Sequence, residues 1–491
     1  MRLSRRGLMR RFGAAAAAVG APRLLSGAGP KADAPREGRK REPGRPNIVF
    51  VMLDDAGIGD FGCYGQKDIK TPVMDRMAAE GTRFTQCYVG SPVCAPCRCI
   101  LMTGLHSGHC TRRDNRAKAS PPGEGKDRGL VPLRAEDFTV AALLRKAGYV
   151  TGGFGKWGLG NPGTTGSPDK HGFDDFFGYL DQVHAHDYYT TWLWRNGETV
   201  PLPGNEGGKR QQYSHDVLAA AALEFIRKHR DRPFFLYLPF TPPHGKYEVP
   251  DDAPYTNESW PQQCRNYAAM ISRADRDVGR VLALLKELAL DESTVVFYTS
   301  DNGPNGPFIK QFHSAAGLRG GKRSLYEGGI RMPMVVRWPG KVPAGAVSDF
   351  AWTFADFLPT AAEIAGTQPP KGLDGMSVLP TLLGKPQKPH EALYWEFHAP
   401  FHQAVRMGRF KGVRFGTEAP LALYDLSADP AEKNDLAARH GDVVARMEAF
   451  LKTARTDTPY WPVTPQRPAR KAKAAKKKAK GREGSDAGNS V

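Results

Sequence analysis

Four short apolar runs, separated by amphipathic stretches, constrain this chain more than any other feature. NIVFVML (47–53), YVTGGFG (149–155), FFLYLPF (234–240) and VVFYT (295–299) have the length and the β-branched or aromatic content of buried strands. Helical patterns lie between them: TPVMDRMAAEG from Thr71, DFTVAALLRKAG from Asp137, SHDVLAAAALEFIRKH from Ser214 and NYAAMISRADRDVGRVLALLKELA from Asn266. This alternation predicts an α/β fold, a large sheet wrapped by helices on both faces. Each run ends in polar residues: Asp54 and Asp55 after the first, Lys156 after the second, His244 beyond two prolines after the third, Asp301 and Asn302 after the fourth. Such sheets bind ligands outside the carboxyl ends of their strands. If the four strands are parallel, these residues gather at one edge. A single Asp after a strand is commonly a turn former, but four polar endings together call for more than turns.

After DFLPTAAEIAG (356–366) comes a stretch punctuated by Pro and Gly, then shorter segments, ALYWEF, QAVRMGRFKGVRF and LALYDL, and the helical GDVVARMEAFLKTA. Hairpin-like strands with one terminal helix predict a small antiparallel subdomain. The expected organisation is a catalytic domain over 47–385 and a C-terminal subdomain over 386–462.

The ends of the chain account for most of its charge. Of a net +18, residues 1–46 carry +9 and residues 467–491 carry +7, leaving +2 for everything between. A nucleic-acid binder would carry its basic footprint on the folded part, so no nucleic-acid partner is expected. Arg5 and Arg6 precede an alanine-rich apolar run and small residues near Ser26, which resembles a twin-arginine export signal over 1–28. A basic linker (29–46) and a basic tail (463–491), both expected to be disordered, flank the folded part. No apolar run approaches the ~18 residues of a spanning helix. The mature protein is therefore expected to be soluble and, handled by the export machinery, periplasmic or extracellular.

Three of the seven cysteines fall within SPVCAPCRCILMTG (91–104). A structural zinc site wants four ligands, and Cys63, Cys87, Cys110 and Cys264 are single. Cys94 and Cys97 form a CxxC without a thioredoxin-like setting. A nucleophile uses more of the local residues: Pro96 suits the first turn of a helix, which leaves Cys94 just before the helix start, where backbone N–H groups favour anions, and Arg98 one turn further along.

The C-x-P-x-R of Cys94, Pro96 and Arg98, continued by LMTGLHSGH, resembles the signature of the type I sulfatases. NIVFVMLDDAGIGDFGCYG, GFGKWGLG, PPH, SDNG, RGGKRSLYEGGIRMP and LYDLSADPAEKNDLA are similar to the same family and stand in its order. The resemblance implies an arylsulfatase-like enzyme of the alkaline-phosphatase-like superfamily, with a large mixed sheet and a small C-terminal antiparallel sheet plus helix. It implies that Cys94 is oxidised to formylglycine by a formylglycine-generating enzyme, and that the hydrated aldehyde attacks sulfur. It implies Ca²⁺ held by Asp54, Asp55, Asp301, Asn302 and the residue at 94, with Arg98, Lys156, Lys322 and His244 completing the catalytic set and His244 serving as leaving-group acid. The implied substrate is a sulfated small molecule or glycan. A sulfate monoester repels an anionic nucleophile, so a hard cation and several basic groups suit the task.

One position departs from the pattern: Gly158 stands where the family commonly has the His of GKWHLG. His184 or His186, in QVHAHDYYTTWLWRNGE, is expected to enter the pocket instead. Two other readings compete, a phosphonate or phosphate ester hydrolase of the same superfamily and a non-catalytic protein that binds sulfated glycans.

Overall fold

The computed structural model describes residues 44–116 and 130–463. The export signal, nearly all of the linker after it and nearly all of the basic tail lie outside the described residues.

The four apolar runs become β1 (Asn47–Leu53), β3 (Val150–Lys156), β7 (Phe234–Pro239) and β8 (Thr294–Ser300) of one large sheet. Its other strands are β2 (Thr82–Tyr88), β4 (Asp175–Tyr179), β5 (Trp192–Arg195), β6 (Glu198–Pro201), β9 (Arg331–Arg337), β10 (Ala346–Ser348) and β11 (Trp352–Thr353). The order is β10-β2-β9-β8-β1-β7-β3-β4-β5-β6, with β11 also on β2. Its centre, β8-β1-β7-β3-β4, is parallel throughout. Antiparallel pairs flank the centre, β8 with β9 and β2 with β9 on one side, β4 with β5 and β5 with β6 on the other.

The central strands read as unbroken apolar runs because both of their faces are covered, as parallel strands require. In β1, Ile48, Phe50 and Met52 enter one core cluster and Val49, Val51 and Leu53 the other. The helices Pro72–Glu80, Ser214–Lys228 and Gln262–Glu287 pack on the second face, and Val140–Lys146 and Phe357–Ile364 on the first. The apolar pattern located the central strands and the resemblance implied a mixed sheet, but neither placed the strands of the antiparallel flanks. Strands such as β5 and β6 are half exposed and four residues long, too short for a periodic signal.

Four further strands, β12 (Leu393–His398), β13 (Phe401–Met407), β14 (Phe410–Phe415) and β15 (Ala422–Asp425), form a small antiparallel sheet in sequential order. Helix Gly441–Leu451 covers one face through Val443, Met447 and Leu451 against Val405, Leu421 and Leu423. On the other face Trp395, Phe397, Ala404 and Val413 join the core of the large sheet. Trp395 Nε1 donates to Val89 O at 2.8 Å, just upstream of the cysteine-rich helix.

Candidate active site

Because β8, β1, β7 and β3 are adjacent and parallel, their polar endings meet at one edge. The register aligns Leu53 with Ser300, and Asp301 N donates to Leu53 O at 3.0 Å, so Asp54 and Asp301 leave the sheet side by side. Asp54 N donates to Pro242 O at 3.2 Å, which brings the His244 loop over the same point. Asp55 sits at φ +71°, a left-handed conformation uncommon for a residue with a side chain.

The cysteine-rich segment forms helix Cys94–Thr103, whose ten residues are all buried. Cys94 is its first residue rather than the one before it, and Val93, extended at ψ 155°, is the N-cap. One turn on, Arg98 is 0 % exposed. Its Nη2 lies 3.1 Å from Asp54 Oδ2 and 3.0 Å from Asp301 Oδ2, and its Nη1 donates to Lys156 O at 2.7 Å. Lys156 Nζ reaches Asp54 Oδ2 at 2.6 Å, and Lys322 Nζ lies 2.6 Å from the Asp55 carboxylate. His244 Nε2 is 4.0 Å from Asp55 Oδ2. Every residue placed in the catalytic and metal sets by sequence is thus in one cluster.

The electrostatics are uneven. Burial pushes Asp54 up, but Lys156, His244, Arg98 and Lys322 outweigh it and hold that carboxyl far below its ordinary range. For Asp301 the balance reverses: burial, with Asp54 alongside, pushes it up to about 7 despite Arg98. Burial and then Lys156 push His244 down to about 3. Burial pushes the Cys94 thiol up. Two oxygens of the cluster, Asp54 Oδ1 and Asn302 Oδ1, are buried without a hydrogen-bond partner among the described residues. Asn302 Nδ2 donates to Asp55 Oδ1 at 2.7 Å, which fixes the orientation of the amide. Ligand atoms of Asp54, Cys94 and Asp301 lie within 4.8 Å of one another, as do those of Asp54, Asp55 and His244. Crowded carboxylates with unpartnered oxygens are the donor set of a hard cation, and the residues present fit Ca²⁺.

His184 and His186 both line a cavity of about 840 Å³ that opens beside Cys94. His186 packs against His244, with ring centroids 4.2 Å apart and the rings tilted by 53°. His184 bonds Thr190 Oγ1 through Nε2 at 2.7 Å and packs on Trp192. The side chains recorded as bonding Cys94 Sγ are two that sequence reasoning missed, Gln182 Oε1 at 3.0 Å and Asn115 Oδ1 at 3.6 Å. Asn305 was also missed, and its Nδ2 donates to Asp55 Oδ2 at 3.0 Å. The one signal pointing to Gln182 was the glycine at 158, which empties a place that another side chain can occupy.

Residues 46–367 match the family profile described as Sulfatase. The chain belongs to the type I sulfatases. Its sheet architecture is that of the alkaline-phosphatase-like superfamily, and its activity is sulfuric ester hydrolysis. Residues 320–457 of this sulfatase also match the profile described as N-sulphoglucosamine sulphohydrolase, C-terminal. The sulfatase is 34 % identical over 401 residues to N-acetylgalactosamine-6-sulfatase of Canis lupus familiaris, covering 75 % of this chain and 72 % of that one. It is 32 % identical over 450 residues to human arylsulfatase A, covering 80 % and 83 %. Among solved structures, Ps i-CgsB in complex with k-i-k-neocarrahexaose superposes with a TM-score of 0.73 at 28 % identity, covering 86 % of this chain and 95 % of that one.

Proposed function

We propose that this sulfatase releases inorganic sulfate from a carbohydrate sulfate, with Cys94 as the precursor of its nucleophile and Ca²⁺ as its metal. The observation that carries the reading is the cluster of Cys94, Asp54, Asp55, Asp301 and Asn302 around two unpartnered buried oxygens. A formylglycine at 94 supplies, as its hydrate, an uncharged oxygen nucleophile suited to an anionic ester. A calcium ion held by Asp54, Asp55, Asp301, Asn302 and residue 94 supplies positive charge for the sulfuryl oxygens.

The other groups belong to the chain itself. Arg98 bridges Asp54 and Asp301 and keeps them in register. Lys156 and Lys322 present ammonium groups to the bound sulfate, neutralising charge that develops on its oxygens. His244 hands a proton to the departing alcohol. An anionic ester beside it opposes the effect of Lys156 and raises the proton affinity of the imidazole. The carbohydrate reading draws on the cavity, whose lining includes Trp192, Arg116 and Arg323, and on the N-acetylgalactosamine-6-sulfatase relative and the neocarrahexaose complex. An aromatic ring with flanking arginines suits a sulfated sugar.

The maturation enzyme is an oxidase of the formylglycine-generating class, and the N-terminal arginine pair with its apolar run favours export to the periplasm or beyond. The test is the mass of the peptide containing Cys94, from protein matured in its own host, together with calcium-dependent sulfate release from sulfated oligosaccharides. An aldehyde at 94 and release abolished by chelation are expected. A thiol at 94 in active, exported protein overturns the proposed nucleophile.

A further inference from the structure

Gly158 follows β3 at φ +78°, in the left-handed region. Trp157 N donates to Tyr179 O and Gly158 N to Leu180 O, extending the β3–β4 pairing and bringing the chain at 180–182 alongside residue 158. A Cβ on Gly158 would lie 2.1 Å from Gln182 Nε2. A side chain at 158 would therefore displace the Gln182 amide from the position it holds here. With glycine there, the amide reaches the nucleophile position, where Cys94 Sγ donates to Gln182 Oε1 at 3.0 Å. The other end of the amide, Nε2, is buried and has no acceptor among the described residues. Gln182 also lines the cavity beside Cys94. The histidines expected to enter the pocket both line this cavity, His184 bonded to Thr190 and packed on Trp192 and His186 packed against His244, while the amide that reaches Cys94 is that of Gln182.

We propose that Gln182 is a catalytic residue of this sulfatase: its Oε1 holds the reacting side chain of residue 94, and its Nε2 donates to an oxygen of the bound sulfate group. The inference rests on residue 94 being a formylglycine precursor. An amide neither gains nor loses a proton near neutral pH. Gln182 therefore orients the hydrate and takes no proton from it, unlike the histidine that the family commonly carries at 158. It also adds no charge to a pocket already holding Arg98, Lys156 and Lys322. Asn115, whose Oδ1 accepts from Ala95 N at 3.0 Å, offers residue 94 a second neutral acceptor. The nucleophile of this chain is thus held by two amides.

The test compares wild type, Gln182→Met, which keeps the bulk and loses the amide, and Gln182→Glu, which keeps an acceptor and loses the donor. Three quantities are read: the mass of the residue-94 peptide, the rate at which a hydrazide labels its aldehyde, and the affinity for inorganic sulfate by calorimetry. Melting curves confirm that each variant is folded. In Gln182→Met, labelling is expected to be about five-fold faster and sulfate about five-fold weaker, the size of one neutral hydrogen bond each. Gln182→Glu should label within about two-fold of wild type yet bind sulfate more weakly than Gln182→Met, since a carboxylate faces the anion. Wild-type labelling in Gln182→Met overturns the acceptor role, and wild-type sulfate affinity in both variants overturns the donor role. A thiol at 94 in every protein instead sinks the formylglycine reading, while the sulfate affinities still decide the donor role.

Discussion

Two carboxylates, Asp54 at the edge of the large sheet and Glu396 in β12, are both fully buried, yet their surroundings are opposite in kind. Glu396 Oε1 meets Arg113 at 3.0 Å and His398 at 2.9 Å, and its Oε2 meets Arg455 at 3.0 Å and Tyr394 at 2.8 Å. Burial pushes Glu396 up, but His398, Arg113 and Arg455 outweigh it and bring the carboxyl down to about 2. Asp54 shares its Oδ2 between Arg98 and Lys156, leaves Oδ1 without a partner among the described residues, and stands beside Asp301, whose carboxyl is pushed up to about 7 by burial first and by Asp54 second. The first cluster is closed and ties the small sheet to the loop after the cysteine-rich helix. The second leaves one carboxylate oxygen without a partner among the described residues. Burial and charge are common to both, so it is the unspent oxygen beside a crowded carboxylate that distinguishes a site for chemistry from a structural network.

The comparison is sharpened most by removing the nucleophile. Cys94→Ala should lower turnover by at least about 10⁴-fold, as loss of a covalent nucleophile does, while leaving the melting temperature unchanged. Substantial residual turnover would move the chemistry away from this edge of the sheet. Neutralising one carboxylate in each cluster should then have opposite effects. Asp301→Asn relieves like-charge crowding, so metal-free protein should be as stable as wild type or slightly more so, while calcium affinity falls by about 100-fold or more. Glu396→Gln breaks a satisfied buried network and should cost about 3 kcal/mol in denaturant unfolding, with turnover per folded molecule retained. If the two variants changed stability alike, the distinction between the clusters would collapse.

How much of this was legible in the sequence follows from which forces act locally. The central strands could be read because a strand buried on both faces must be apolar throughout, and Asp54, Asp55, Lys156, His244, Asp301 and Asn302 could be placed because each directly follows such a run or lies within a few residues of one. Arg98 and Lys322 came with their motifs. The antiparallel flanks were not legible, since β5 and β6 are short and half exposed and owe their conformation to pairing rather than to pattern. Gln182 was not legible either. It enters the site through a contact 88 residues distant in the chain, and nothing in the letters around it differs from an ordinary surface loop. The histidines two and four positions later are chemically louder and drew attention for that reason; both line the cavity, and their ring contacts are to Tyr179, Trp192 and His244.

Acid should reveal the closed cluster directly. Glu396 has a folded value depressed from 4.5 to about 2. The stability it contributes is fully present above its unfolded value and is lost as pH falls through the folded one. The stability difference between wild type and Glu396→Gln should therefore shrink by a few kcal/mol between about pH 5 and pH 2. A difference that stays constant across that window would mean the partners of Glu396 do not hold its charge.

The smallest expected effect concerns a residue between the two kinds of surroundings. His184, which lines the cavity, has one ring nitrogen bonded to Thr190 and the other, Nδ1, buried without a partner among the described residues. By the rule drawn from Asp54, the unspent atom marks a contact for substrate; by the rule drawn from Glu396, the bonded atom and the packing on Trp192 mark a support for the loop. A neutral hydrogen bond to a sugar hydroxyl is worth about 1 kcal/mol. His184→Ala should then raise KM for a sulfated oligosaccharide by about three- to five-fold and leave kcat and the melting temperature unchanged. A fall in melting temperature with KM unaltered would assign His184 to the scaffold. It would also show that one unpartnered ring nitrogen, unlike the oxygen of a crowded carboxylate, does not mark a site.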